Sequence, residues 1–258
     1  MADSPTRPDT TGQRSVILIT VGQITLWPNG YCVETGVVRG VVTAATINKR
    51  ARTDAQKLFR RQAILDAADL HFAAVGFDAF SMARLAAQAS VAKGTLYLYF
   101  ETREDVLLAL VSAKVAAWGD SFAACLRAGM TDRDLAAACY ATVHEDPALL
   151  PLLARLDSVI EHNVSIDALV KSKRAFRDVI GLLATRVADV TGLPHAGAFE
   201  LLTAYAALLI GATRVDQGPA LENEDLPDDV RQLIGAFSSD KLFVTNACRI
   251  AAGIRLGI

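Results

Sequence analysis

The chain has only four cysteines in 258 residues, Cys32, Cys125, Cys139 and Cys248, with no C-x-x-C pair and no zinc-ligand spacing. That leaves neither a redox dithiol nor a zinc ribbon, and it suits a reducing compartment, where a thiol is a small buried hydrophobe. Aromatic residues are scarce at 7%, while Ala and Leu dominate long tracts, which favours helix over sheet. No run of 18 apolar residues occurs, so a transmembrane helix is not expected. The uncharged stretch 15–33 is interrupted by Gln23, Pro28, Asn29 and Gly30, and it lacks a small-residue cleavage site of the signal-peptide kind. Also missing are a Glu-x-x-His pair, a G-x-S-x-G elbow, a Walker loop and metal-ligand spacing. The expectation is therefore no enzyme, no catalytic residue, no metal and no cofactor.

What is present is enough apolar material for a sizeable core: 52% hydrophobic against 21% charged residues, which excludes global disorder. The net charge of −2 hides an asymmetry. Residues 1–48 carry three basic and three acidic side chains; 49–115 carry ten and seven; 116–258 carry 13 and 18. A basic module is joined to an acidic one, and only the basic one suits a polyanion.

Residues 15–33 alternate like a strand, with Ile17, Ile19 and Val21 on one side. From about Asp54 the pattern turns helical and remains so to the end. Phe59, Ala63, Ile64, Ala67, Leu70 and Phe72 recur at helical spacing, and Gly76 closes this first helix. Ser81 caps a short helix over 82–89, a third covers 92–100, and a long one covers 103–128. Gly129, 145–147, 192–194, 218–219 and Pro227 punctuate the later helices. Ile166, Leu169, Val170, Phe176, Val179, Ile180, Leu183, Val187 and Val190 form a long stripe. The chain reads as all-α: an extension over 1–48, a helical module over 49–102, and a larger bundle over 103–258.

Residues 80–104 read FSMARLAAQASVAKGTLYLYFETRE. Two short helices with a tight connection cannot make a core alone; with the helix before them they form a helix-turn-helix unit. Leu85, Ala86, Val91, Leu96 and Phe100 fall where the helices must pack. Lys93, Gly94, Thr95, Tyr97 and Tyr99 are left to face outward. A cation, hydroxyls and a helix N-terminus together suit a phosphate-lined groove, and Gly94 allows the backbone to approach. On residue chemistry alone, a structural hairpin with solvated polar residues fits as well.

The tract SVAKGTLYLYFETREDVL, with RRQAILDAADLHFAAVGFDAFSMARLAAQA before it, closely resembles the DNA-binding domain of the TetR (tetracycline-repressor) family. The resemblance covers about residues 55–108, and KGTLYLYF is its specific core. It implies a bacterial dimeric transcription regulator, usually a repressor, released from double-stranded operator DNA by a small molecule. By position, Lys93, Thr95, Tyr97 and Tyr99 match the operator-contacting helix, with Gly94 at its start. Arg103 matches a phosphate-contacting residue, and Ser81 a cap whose helix end approaches the backbone. Two departures stand out. Ser90 occupies a turn position often held by Gly, which implies backbone strain. Leu98 sits where a polar or aromatic residue is usual.

Lys49, Arg50 and Arg52, with Lys57, Arg60 and Arg61, are a candidate phosphate-binding arm. In relatives the bundle holds a ligand cavity and its last two helices form the dimer interface. Leu201, Leu202, Tyr205, Ala206, Leu208, Leu209 and Ile210 make residues 200–215 apolar almost all round, more than one monomer hides easily. With Leu242, Phe243, Ala247, Ile250, Ala251 and Ile254 they are the expected homodimer face. Candidate effector contacts are Trp118, Phe122, Tyr140, Arg155 and His162. Cys125 and Cys139 lack a basic neighbourhood and read as inert. The expected setting is cytoplasmic, at the nucleoid, with no membrane partner; the competing function is a helical adaptor without DNA binding. Residues 1–41 match nothing in the family, and a translation start at Val41 or Val42 is the favoured account of them.

Overall fold

The computed structural model describes residues 44–213, 226–236 and 238–257, the first ten of them by backbone alone. The strand-like reading of 15–33, the start at Val41 or Val42, and the side chains of Lys49, Arg50 and Arg52 lie outside what is described. Every element among the described residues is helical. They are α1 (Ala44–Ala79), α2 (Met82–Gln88), α3 (Lys93–Tyr97), α4 (Arg103–Cys125), α5 (Asp132–His144), α6 (Leu149–Arg155), α7 (Ile166–Thr191), α8 (His195–Thr213), α9 (Asp228–Ala236) and α10 (Ser239–Leu256). Between α6 and α7 lie a π-helical turn, Leu156–Ile160, and a single 3-10 turn, Glu161–Asn163.

Local chemistry sets most of the boundaries. At Gly76 the backbone takes φ 69° and ψ −171°, a region open essentially only to glycine, so α1 is broken there and restarts for three residues. Ser81 caps α2, its Oγ accepting from the Arg84 N–H at 3.4 Å. Thr102 and Asp105 form a capping box at α4, with reciprocal bonds of 3.0 and 2.9 Å. Thr131 and Asp134 repeat it at α5, and the Thr131 hydroxyl and N–H bonds hold the Asp134 carboxyl below its usual range. Ser165 caps α7, which ends at Gly192 in the left-handed region (φ 72°).

The third helix is shorter than its sequence pattern suggests, five residues followed by turns. In the bundle, α8 packs between α7 and α10, α7 lies along α4, and α10 along α5. α4 and α8 are long and apolar enough by composition to cross a membrane, but both supply core residues here, Val106, Leu107 and Val111 from one and Ala198, Leu201 and Tyr205 from the other.

Two expectations about faces need correction. Phe59 and Leu70, placed on the helical apolar stripe with Ile64, Ala67 and Phe72, are 79% and 66% exposed; the buried face of α1 is Ile64, Leu65, Ala67, Ala68, His71 and Phe72. Conversely, much of the apolar surface assigned to a partner is hidden within one chain: Leu201, Leu202, Tyr205 and Leu209 of α8, and Phe243, Ala247 and Ala251 of α10, are all buried. The neighbours α5 and α7 cover what the sequence pattern left open.

Candidate functional site

The helix-turn-helix is built on three anchors. Leu85 and Leu96 are fully buried and Phe100 nearly so, each such side chain stabilising by roughly 1.5–3 kcal/mol. Between α2 and α3 the chain turns through a Schellman motif: the Ser90 N–H donates to Ala87 O at 3.1 Å and the Val91 N–H to Ala86 O at 3.0 Å. This motif needs a left-handed residue, and Ser90 supplies it at φ 53°. The strain inferred from the missing glycine is thus located in the backbone.

A buried histidine absent from the sequence reading fixes the entry to α2. His71 Nε2 accepts from the Ser81 N–H at 3.3 Å, and its ring lies 4.9 Å from that of Phe80. Burial, with the Arg84 charge adding to it, pushes the His71 pKa down, so the ring stays neutral and able to accept.

Around these anchors Lys93, Gly94 and Tyr97 are exposed, and Thr95 is half-buried. Lys93 Nζ lies 6.0 Å from the centre of the Tyr97 ring, four residues on, which orients both toward the same side. A Cβ built on Gly94 would meet nothing within 4 Å. Among the described residues nothing requires glycine there. Leu98 is 83% exposed.

Two expected contacts sit differently. Tyr99 is half-buried and packs on the core, bordering a groove with Arg61. The Arg103 guanidinium is engaged within the chain: Nη2 donates to Phe77 O at 2.7 Å and the group lies 4.6 Å over the Phe77 ring. Arg155, expected at the effector, approaches the same ring at 5.4 Å. Phe77, just past the Gly76 break, thereby joins the end of α1 to the start of α4 and the end of α6.

An apolar pocket of about 210 Å³, partly open to solvent, lies between α4, α5, α6, α7 and α8. Trp118, Cys139, Phe176 and Tyr205 are on its wall, with Val, Leu, Ile and Ala completing it. Of the five expected effector contacts only Trp118 lines it. Phe122 is buried behind, stacked on Trp118 at 5.7 Å. Tyr140 bonds Ser239 across α5 and α10 at 2.5 Å, and His162 is exposed on the 3-10 turn. Burial raises the Cys139 thiol far above its usual range, leaving it protonated and unreactive. The residues missed, Phe176, Leu202 and Tyr205, belong to patterns that read as plain stripe or interface; no local signal separates a cavity wall from either.

Comparison with known proteins bears on both regions. Residues 64–110 match the family model for bacterial regulatory proteins of the tetR family, and residues 112–227 match that for the tetracyclin repressor-like C-terminal domain. Over 60 residues the chain is 40% identical to the fatty acid metabolism regulator protein of Bacillus subtilis (strain 168), which is 23% of this chain and 31% of that one. The chain thus spans about a third of that relative's length. A tetR-family transcription regulator from Shewanella sp. PV-4 aligns with 72% of this chain and 97% of its own, at 22% identity and a TM-score of 0.45. The fatty acid degradation regulator of Bacillus halodurans aligns with 71% and 94%, at 17% identity and a TM-score of 0.43.

Proposed function

Because the chain belongs to the TetR (tetracycline-repressor) family and is a DNA-binding transcription regulator, we propose that it is a homodimeric repressor of a palindromic operator, released when a small molecule fills the cavity of its bundle. One observation carries the DNA-facing half of this reading. Lys93, Gly94 and Tyr97 form an exposed face with open space where a Gly94 side chain would be, directly opposite the buried Leu96 and Phe100. A glycine with open space around it among the described residues leaves room for a DNA backbone to approach, and a lysine with hydroxyls at that place suits phosphates and base edges. Ser81 and Thr95 are assigned to the same contact surface, and Tyr99 and Arg103, packed or bonded within the chain, to its support.

The dimer contact is assigned to the outer sides of α8 and α10. Exposed Ala196, Thr203, Ala207 and Gly211 leave α8 slim enough for close approach, and Ala252 and the 75%-exposed Leu256 continue the surface on α10. The regulator works in the cytoplasm, where its operator is. The effector reading rests on the apolar pocket and on its wall: Leu153 and Leu156 lie either side of Arg155, which approaches the Phe77 ring at the end of the DNA-binding unit. A ligand that displaces α6 therefore pulls on the helix-turn-helix.

Fluorescence anisotropy with DNA from upstream of the protein's own coding region tests the proposal. Lys93→Ala and Tyr97→Ala weaken binding about tenfold or more while the oligomeric state is unchanged; Lys93→Ala also flattens the salt slope by roughly 0.9. Unaltered affinity in both variants rejects the assigned face.

A further inference from the structure

None of the 14 described residues that line the bundle pocket is charged, and only Trp118, Cys139 and Tyr205 among them carry a polar side-chain atom. Trp118 Nε1 and Tyr205 Oη have no solvent-accessible surface and Cys139 is fully buried, so none of the three atoms is presented to the void. Burial also pushes the Cys139 thiol and the Tyr205 phenol far above their usual ranges, so both keep their protons and the wall stays uncharged. The main chain adds little, because the wall is helical and its N–H and C=O groups are spent on their own ladders. A ligand therefore gains here only by leaving water, about fourfold in affinity for each methylene buried. Any hydroxyl, carboxylate or ammonium carried in loses its hydration and meets neither a hydrogen-bond partner nor a counter-ion. The volume of about 210 Å³ exceeds the roughly 150 Å³ that holds a benzene ring, which leaves room for a short alkyl substituent.

We propose that the pocket takes an uncharged hydrocarbon body the size of an alkyl-substituted ring, selected by fit and by transfer from water, with no hydrogen bond from the wall. This rests on reading the pocket as the effector site. Val115, Leu153, Phe176 and Leu202 supply carbon surface to such a ligand, and polar molecules are rejected by what they would leave behind in water.

Isothermal titration of the full chain tests this with benzene, toluene, ethylbenzene and butylbenzene, and with benzyl alcohol, benzoate and benzylammonium, while fluorescence anisotropy follows operator binding. Affinity rises about fourfold per carbon from benzene to ethylbenzene, and the gain falls away at butylbenzene, which outgrows the pocket. Benzyl alcohol, close in size to ethylbenzene, binds about tenfold or more weakly, and neither charged probe saturates over the same concentrations. Leu153→Ala enlarges the pocket and improves butylbenzene relative to ethylbenzene by about fourfold or more. Val115→Ala, a smaller excision, acts in the same direction. Equal affinity for benzene and ethylbenzene, a hydroxylated or charged probe bound as tightly as ethylbenzene, or an unchanged chain-length preference in both folded variants overturns the inference. Operator release by a charged probe does so while leaving the pocket an effector site. No binding by any of the probes also overturns it. Hydrocarbon binding with this chain-length preference but unaltered operator affinity overturns the effector reading and upholds the ligand class.

Discussion

The Lys114 ammonium lies 2.6 Å from the Asp69 carboxylate, and the same nitrogen donates to Asp146 Oδ2 at 2.6 Å. Asp69 is on α1 and Asp146 in the turn between α5 and α6, so one cation that is 8% exposed fastens the DNA-binding unit to the bundle. Burial alone would lower the Lys114 pKa; the hydrogen bonds to Asp146 and Asp69 outweigh it and raise it. Both carboxylates keep substantial contact with water, which screens the pair.

Removing this clasp gives the first prediction. Lys114→Met and Asp69→Asn each cost about 1–2 kcal/mol in urea unfolding, less than a fully buried pair would. The double variant loses less than their sum, by about 0.5 kcal/mol or more, because both remove one interaction. Strict additivity would mean that the two groups do not share it.

Two glycines should respond in opposite ways. Gly94→Ala raises stability by about 0.5–1 kcal/mol, since its Cβ meets nothing and alanine is the better helix former. The same variant weakens operator binding. Gly119→Ala puts a Cβ 2.7 Å from Val179 Cγ1 at the α4–α7 crossing and costs about 1–3 kcal/mol. Thermal melts beside DNA titrations separate these effects, and a Gly94→Ala variant with intact DNA affinity would contradict the close approach.

Ser90 provides a third. At φ 53° a serine is strained, and a β-branched residue is far worse. Ser90→Gly gains up to about 1 kcal/mol, part of the relief being offset by the freedom glycine loses on folding. Ser90→Val is destabilised. Melting temperatures in the order Gly, Ser, Val confirm the left-handed turn; Val at the top refutes it.

A pH effect follows from His71. Its folded pKa is depressed, so on acidification the unfolded chain takes up this proton first, and unfolding is favoured. The contribution is present in full above the unfolded value of about 6.5 and is lost as the pH falls below it toward the folded pKa. Protonation also turns Nε2 into a donor, against the Ser81 N–H it must accept. His71→Gln is less stable than the parent at pH 7.5, and the difference narrows toward pH 5.5. A difference independent of pH would remove His71 as its source.

Symmetry of the proposed dimer makes the fifth. Two recognition helices related by a two-fold axis require an inverted repeat, with half-site centres roughly 10 bp or slightly more apart. Footprinting shows two protected half-sites about a dyad; protection of one alone argues for a monomer.

The sequence by itself determined what neighbours a few residues apart decide. Ser81 as a cap, Gly76 as the end of the first helix, the strained turn at Ser90 and the packing of Leu85 against Leu96 are local matters, set by dihedral freedom and the 3.6-residue period. The family resemblance was legible for the same reason, since its motif is one uninterrupted tract. Tertiary structure alone decided directions that local pattern leaves open. A helix apolar all round, such as α8, has no preferred inward face until α7 and α10 lie on it, and they turned Leu202 and Tyr205 to the cavity rather than to a partner. Arg103 and Arg155 look alike in sequence to any solvent-facing cation; only the fold brings both to the ring of Phe77. Lys114 falls among apolar residues of α4 as a seeming exception, and its burial makes sense only because Asp69 and Asp146, far apart in the chain, arrive at the same nitrogen.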